Sequence, residues 1–225
     1  MLVKPNERLP LAALLQFLEL GERLAHSCAT TQAALAPTSK IRDFLKRQAR
    51  QEAMHATIFR TTRKWIAPRQ PDGSNTLKPF EDYRSLLCDS LDRKQFLESI
   101  LAEQVILESL GEAILHKIEI GLQKRHAPFQ RLRRMLLAQE AAHHGFGNHV
   151  LQRAVADHEI TKEQLQEQAI PYLLLSQSMI MELHALFQEI DEDPQEFLDL
   201  QQQHLPPWLV TRNTKHDDLH NHSSL

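Results

Sequence analysis

Gln51-Glu52-Ala53-Met54-His55 and Gln139-Glu140-Ala141-Ala142-His143 are two copies of one five-residue word, Gln-Glu-Ala-x-His. Glu and His stand three apart in each copy, so on a helix both project from one face. The spacing alone is weak evidence. With 13 histidines and 18 glutamates in 225 residues, about one Glu-x-x-His pair arises by chance. The surroundings of the two words carry more weight. The 3.6-residue stripe through the first reads Ile41, Leu45, Gln48, Glu52, His55, Phe59; through the second it reads Leu132, Leu136, Glu140, His143, Gly147, Val150. Each stripe places an acid and a base where apolar side chains belong, and buried charge is costly unless it is paired or bound to metal.

Two further stripes are interrupted in the same way. The segment 9–34 reads Leu11, Leu15, Leu18, Glu22, Ala25, Ala29, and the segment 93–125 reads Phe96, Ile100, Glu103, Leu107, Leu110, Ile114. Two Glu-x-x-His pairs and two lone glutamates, spread over four helices, form the ligand set of a dinuclear carboxylate centre inside a four-helix bundle. The expected ligands are Glu22, Glu52, His55, Glu103, Glu140 and His143. Glu108 is a second candidate, because Glu103 lies farther than Glu140 from the turn at His126. His26, one turn after Glu22, and His144, beside His143, are candidates for supporting roles. Four carboxylates and two neutral imidazoles balance two divalent cations. Oxygen and nitrogen donors without thiolate suit iron or manganese. The metal-free alternative is a buried Glu–His salt-bridge network.

The rest of the chain is consistent with an all-α protein. It has only six glycines, 42% apolar residues and a net charge of −3, which gives no clear nucleic-acid signature. Basic clusters around Arg47, Arg63 and Arg133 read as solvated helix faces and helix ends. Two cysteines, Cys28 and Cys88, are too few for a disulfide framework. The apolar run at 9–20 contains Gln16 and Glu19 and is neither a signal peptide nor a membrane span. A soluble, cytoplasmic protein is expected.

Helices are predicted over 9–34, 39–66 (with Ser39 as N-cap), 79–90, 93–125 (with Asp92 as cap and Gln95 as its partner), 129–157, 161–190 (kinked at Pro171) and 194–203. Short turns join the first two and the 93–125 and 129–157 helices. A long connection at 67–79 separates the two hairpins, as in ferritin-like bundles. One helical domain over 1–205 is expected, followed by a polar, disordered tail over 206–225. The tail carries His216, His220 and His222, which read as loose-tail residues. Gly145 and Gly147 suit either room for a small molecule or close helix packing. An apolar face left exposed on the 161–190 helix would point to a homodimer or a membrane surface.

The order Glu22, Glu52-x-x-His55, Glu103, Glu140-x-x-His143 resembles the ferritin-like diiron carboxylate superfamily. Its spacing is most similar to the demethoxyubiquinone hydroxylases, as are the stretches Ala102–Glu108 and Glu140–Gly147. Glu103 and Glu108, five apart, also resemble the tRNA-modifying diiron hydroxylase. The resemblance covers roughly residues 9–157. Gln139 departs from it, standing where relatives often carry an acid. The resemblance implies two iron ions and a non-haem diiron oxygenase or hydroxylase. O2 would be activated to oxidise an organic substrate, which could be a small molecule, a lipid-like molecule or a modified base. Two electrons would come from an external donor. The alternative, from a different class, is iron handling or peroxide scavenging of the ferritin or rubrerythrin type, with no organic substrate.

Overall fold

The computed structural model describes residues 3–69 and 77–210. A 3-10 turn (Pro5–Glu7) leads into α1 (Arg8–Leu35) and α2 (Ser39–Ile66), the first long antiparallel hairpin. Pro10 sits in the first turn of α1, where its missing N–H costs nothing. The N-cap of α2 is Thr38, whose extended backbone lets its hydroxyl accept from Ile41 N–H at 3.3 Å; Ser39 is the first helical residue. Residues 70–76 of the expected long connection lie outside the described residues. α3 (Lys78–Asp92) follows.

The second hairpin begins with α4 (Phe96–Ile100), which continues through a π-helical segment (Leu101–Leu107) into α5 (Glu108–Lys124). α6 (Gln130–Ala156) returns antiparallel. The expected Asp92–Gln95 cap does not form. Asp92 ends α3, Lys94 takes a left-handed φ of 58°, and Gln95 is the residue that opens α4. Arg–Glu pairs whose carboxylates are buried tie the elements. Arg63 of α2 reaches Glu19 of α1 at 3.3 Å, and Arg133 of α6 reaches Glu119 of α5 at 2.5 Å. Arg125 donates to both oxygens of Glu7 at 2.6 and 2.9 Å, and these bonds hold that carboxyl down at about 2. Three members of the basic clusters are therefore structural partners rather than solvated charges.

α7 (Lys162–Glu182) runs through Pro171 and stops at Leu183, where a turn separates it from the short α8 (His184–Glu189). The expected single helix over 161–190 is therefore two. Thr161 caps α7 in a reciprocal box with Gln164. α9 (Pro194–His204) and α10 (Pro207–Val210) complete the described elements. α7 packs on α3 and the π segment, and α9 on α5, so the C-terminal helices cover the second hairpin. Ile170, Leu174 and Met181 of α7 are exposed. Among the described residues no helix is long and apolar enough to cross a membrane. The disordered tail was expected from 206, but Pro207–Val210 form α10 with Leu209 packed into the core; the rest of it, residues 211–225 with His216, His220 and His222, lies outside the described residues.

The two glycines of α6 differ. A Cβ on Gly147 would stand 2.6 Å from Gln104 Cβ and 3.1 Å from Val105 Cγ2, so Gly147 permits close approach of α6 to the π segment. Gly145 is exposed, and a Cβ there meets nothing within 4 Å. Gly147→Ala is expected to destabilise the protein by about 1–3 kcal/mol through overpacking. Gly145→Ala is expected to be neutral or slightly stabilising, since alanine favours a helix interior. Thermal unfolding followed by circular dichroism measures both.

Candidate metal centre

The first hairpin places Glu22 on α1 opposite Glu52 and His55 on α2, and the second places Glu108 opposite Glu140 and His143 on α6. Ligand-type atoms of Glu22, Glu52, His55 and Glu140 all lie within 4.8 Å of one another, and so do those of Glu52, Glu108, Glu140 and His143. Glu52 and Glu140 belong to both groups. Glu52 presents one oxygen to each histidine: Oε2 lies 3.1 Å from His55 Nδ1, and Oε1 lies 2.9 Å from His143 Nδ1. His55 Nδ1 is also 2.8 Å from Glu140 Oε1 and 3.3 Å from Glu22 Oε2. His143 Nδ1 lies 3.6 Å from Glu108 Oε1.

The repeated glutamine has a reciprocal role. Gln139 Oε1, on α6, lies 2.8 Å from His55 Nε2 on α2, and Gln51 Oε1, on α2, lies 2.8 Å from His143 Nε2 on α6. Each glutamine thus serves the histidine of the other copy. Its carbonyl oxygen can only accept, so each Nε2 carries the proton. A neutral ring then turns the Nδ1 lone pair into the carboxylate cluster, the orientation a metal-binding histidine needs.

Buried atoms without partners mark the same point. Both Glu52 oxygens, Glu140 Oε1 and the Nδ1 atoms of His55 and His143 are buried and accept or donate no hydrogen bond. Orphaned polar atoms are rare in native interiors. Here they converge, and their chemistry, carboxylate oxygen with imidazole nitrogen, is that of a divalent transition-metal site. The residues fit the pair of ions.

The electrostatics are those of carboxylates crowded out of water. Burial, followed by the field of Glu140, raises Glu22 well above the usual carboxylate range. Burial and the neighbouring Glu140 and Glu52 do the same for Glu108, and burial with Glu52 for Glu103. Glu52 is also desolvated, yet its contacts with His143 and His55 hold it far below that range. Burial alone would lower His55, but Glu140, Glu22 and Glu52 together raise it strongly.

Glu103 joins neither group. It is fully buried at the edge of the cluster, where Gln48 Nε2 donates to Glu103 Oε1 at 3.3 Å and to Glu108 Oε1 at 3.0 Å. The π segment explains the shared donor. Residues five apart lie about 140° apart on an α-helix, whereas the i→i+5 bond from Glu108 N–H to the Glu103 carbonyl turns the two onto neighbouring positions. Apolar periodicity does not reveal such a turn. Gln48 interrupts a core stripe and was visible in the sequence; Gln104 and Gln32 were not. Gln104 Nε2 donates to Gln32 Oε1 at 2.6 Å and Gln48 Oε1 at 3.3 Å, extending a buried amide chain from the two glutamates. His26 lies outside this layer, 2.7 Å from the Ala49 carbonyl. His144 faces away from the centre, towards Glu112.

An apolar cavity opens onto the centre. Glu22, Glu108 and Glu140 form its polar end, and Phe17, Leu18, Phe80, Leu107, Leu110 and Ile114 form its walls. Its volume is about 40 Å³, a narrow space with an open mouth. Gly21 and Gly111 line it, and a Cβ on either meets nothing within 4 Å.

Two outcomes follow from this geometry. Glu108→Ala should lose bound metal, while Glu103→Gln should retain both ions; elemental analysis per folded chain reads the difference. The second concerns pH. After chelation, the native chain holds more protons than the unfolded chain through raised Glu22, Glu103, Glu108 and His55, so stability falls as pH rises above the unfolded carboxylate value of 4.5. The lowered Glu52 has the opposite sign, but its contribution changes only below that value. Tm is expected to fall from about pH 5 to about pH 8, and two equivalents of ferrous iron to flatten the slope. A Tm that rises across this range contradicts the assignment.

No family model and no curated protein matches the chain. A solved structure does: protein 19 with aldehyde deformylating oxidase activity, from Synechococcus, superimposes with a TM-score of 0.78 at 20% identity, over 93% of this chain and 92% of that one. At that identity the likeness is one of fold, and it places this chain among the ferritin-like helical bundles with additional C-terminal helices.

Proposed function

We propose that this chain is a non-haem diiron oxygenase that oxidises an apolar organic substrate. Glu22 and His55 would hold one iron, Glu108 and His143 the other, with Glu52 and Glu140 shared between them. The observation that carries the reading is the apolar cavity ending on Glu22, Glu108 and Glu140. A centre serving only to oxidise or store iron has no use for such a chamber. The Synechococcus structure, with its stated oxidase activity, supports the same class.

When bound, the two irons would supply the reductive activation of O2. One oxygen atom would go to the substrate and the other to water, with two electrons from an external donor and two protons. The residues of this chain supply the setting. The apolar walls exclude water and orient the substrate towards the glutamates. Gln51 and Gln139 hold the two imidazoles in one tautomer. Glu22 and Glu108, whose buried carboxyls favour the protonated form, give up protons as cations enter. Gln48 then holds Glu108 in place from behind.

Gly111→Phe and Gly21→Leu fill the cavity from open positions without touching a ligand atom. Both variants are expected to keep wild-type iron content. Both should lose most of the oxygen consumption that a lipid-extract or small-molecule pool stimulates in the reduced wild-type protein, read with an oxygen electrode and by mass spectrometry of the pool. Oxygen uptake that is indifferent to every pool, and equal in the plugged variants, would instead support iron handling.

A further inference from the structure

A second group of carboxylate and imidazole side chains lies outside the dinuclear group, where α5, α6 and α9 meet. Glu112 of α5 points its Oε2 between two imidazoles, 3.5 Å from His144 Nδ1 on α6 and 3.3 Å from His204 Nδ1 on α9. That oxygen is buried and has no hydrogen-bond partner. His116 lies one turn beyond Glu112 on the same face of α5. It is exposed, and its charge acts on both Glu112 and His204.

We propose that Glu112, His144 and His204 bind one divalent transition ion of the zinc class, with His116 as the fourth ligand. In a tetrahedral site, metal–nitrogen bonds of about 2.0–2.1 Å and metal–oxygen bonds of about 2.0–2.2 Å set the ligand atoms roughly 3.3–3.5 Å apart. The two Glu112–imidazole separations already match such edges. The third edge is open, since the rings of His144 and His204 are 6.5 Å apart between centroids. His204 ends α9 with a quarter of its side chain exposed, and closing the third edge requires its ring to move towards His144. The side-chain amide of Asn148 lies 3.0 Å from His144 Nε2, and its own Oδ1 lacks a partner. Turned over, that amide accepts from Nε2–H and leaves the Nδ1 lone pair facing Glu112. One carboxylate with neutral imidazoles is a donor set that zinc, nickel and copper favour over magnesium or calcium.

Such an ion would join the C-terminal helix α9 to the bundle, adding to the Lys117 contacts with Glu192 and Glu196. The test is titration of Zn²⁺ into iron-loaded protein under anaerobic conditions, followed by zinc-edge anomalous diffraction. One zinc per chain is expected at Glu112, together with slower amide exchange across α9. Glu112→Gln and His204→Ala should weaken binding about 100-fold, and His116→Ala less. Exposed His158 lies elsewhere, and His158→Ala should leave binding unchanged. Circular dichroism confirms that each variant is folded. Zinc bound equally by all variants, zinc located only at the dinuclear centre, or no zinc bound would each overturn the proposal. Because the readout is zinc position and stoichiometry, its failure leaves the oxygenase reading untouched, and the reverse also holds.

Discussion

Carboxylates held a few ångströms apart without water repel one another and resist ionisation. The rest of this bundle is arranged around that constraint. Five glutamates, Glu22, Glu52, Glu103, Glu108 and Glu140, are buried in one layer between four helices. The layer persists because each acid has a counterpart: histidines for Glu22, Glu52 and Glu140, an amide for Glu103 and Glu108. Bound cations would complete the compensation. Long helices with extensive apolar packing above and below the layer supply the stabilisation that lets a polar stratum sit in the middle of the core.

The first hairpin was almost fully legible in the sequence. Its helices keep α periodicity throughout, so Glu22 and Glu52 fall on predicted core stripes equally far from the turn between Leu35 and Ser39. The second hairpin was not. The π segment Leu101–Leu107 changes the phase of every residue after it, and no residue type announces it. The only sequence trace was a mismatch of distances from the turn at His126, which left Glu108 open beside Glu103. The repeated glutamine could be seen twice, yet its partner could not, because the bond crosses from one helix to the other. Local details, such as Thr38 taking the cap from Ser39 or α7 ending at Leu183, depend on geometry that near-equivalent residues share.

The cavity illustrates the same division. Leu18, Leu110 and Ile114 read in the sequence as ordinary core. Only the packed arrangement shows that some of this surface faces empty space rather than another side chain. Two glycines at helix positions, which intrinsic propensity disfavours, accept that cost where a side chain would project into the chamber. Their placement joins a stability penalty to the shape of the space beside the glutamates.

The π segment also divides the helix Phe96–Lys124 into two separately phased halves. Upstream, Ile100 and Glu103 follow the register of α4; downstream, Glu108, Gly111 and Ile114 follow that of α5. Losing one residue between Glu103 and Glu108 would set them four apart, about 40° round an α-helix, so they would stay neighbours and the downstream half would keep its face. A residue lost between Glu108 and Gly111 would instead turn the cavity wall about 100° away from the ligand. The wide turn therefore acts as a slack link: chain length can change by one residue there without redirecting either the ligand or the chamber.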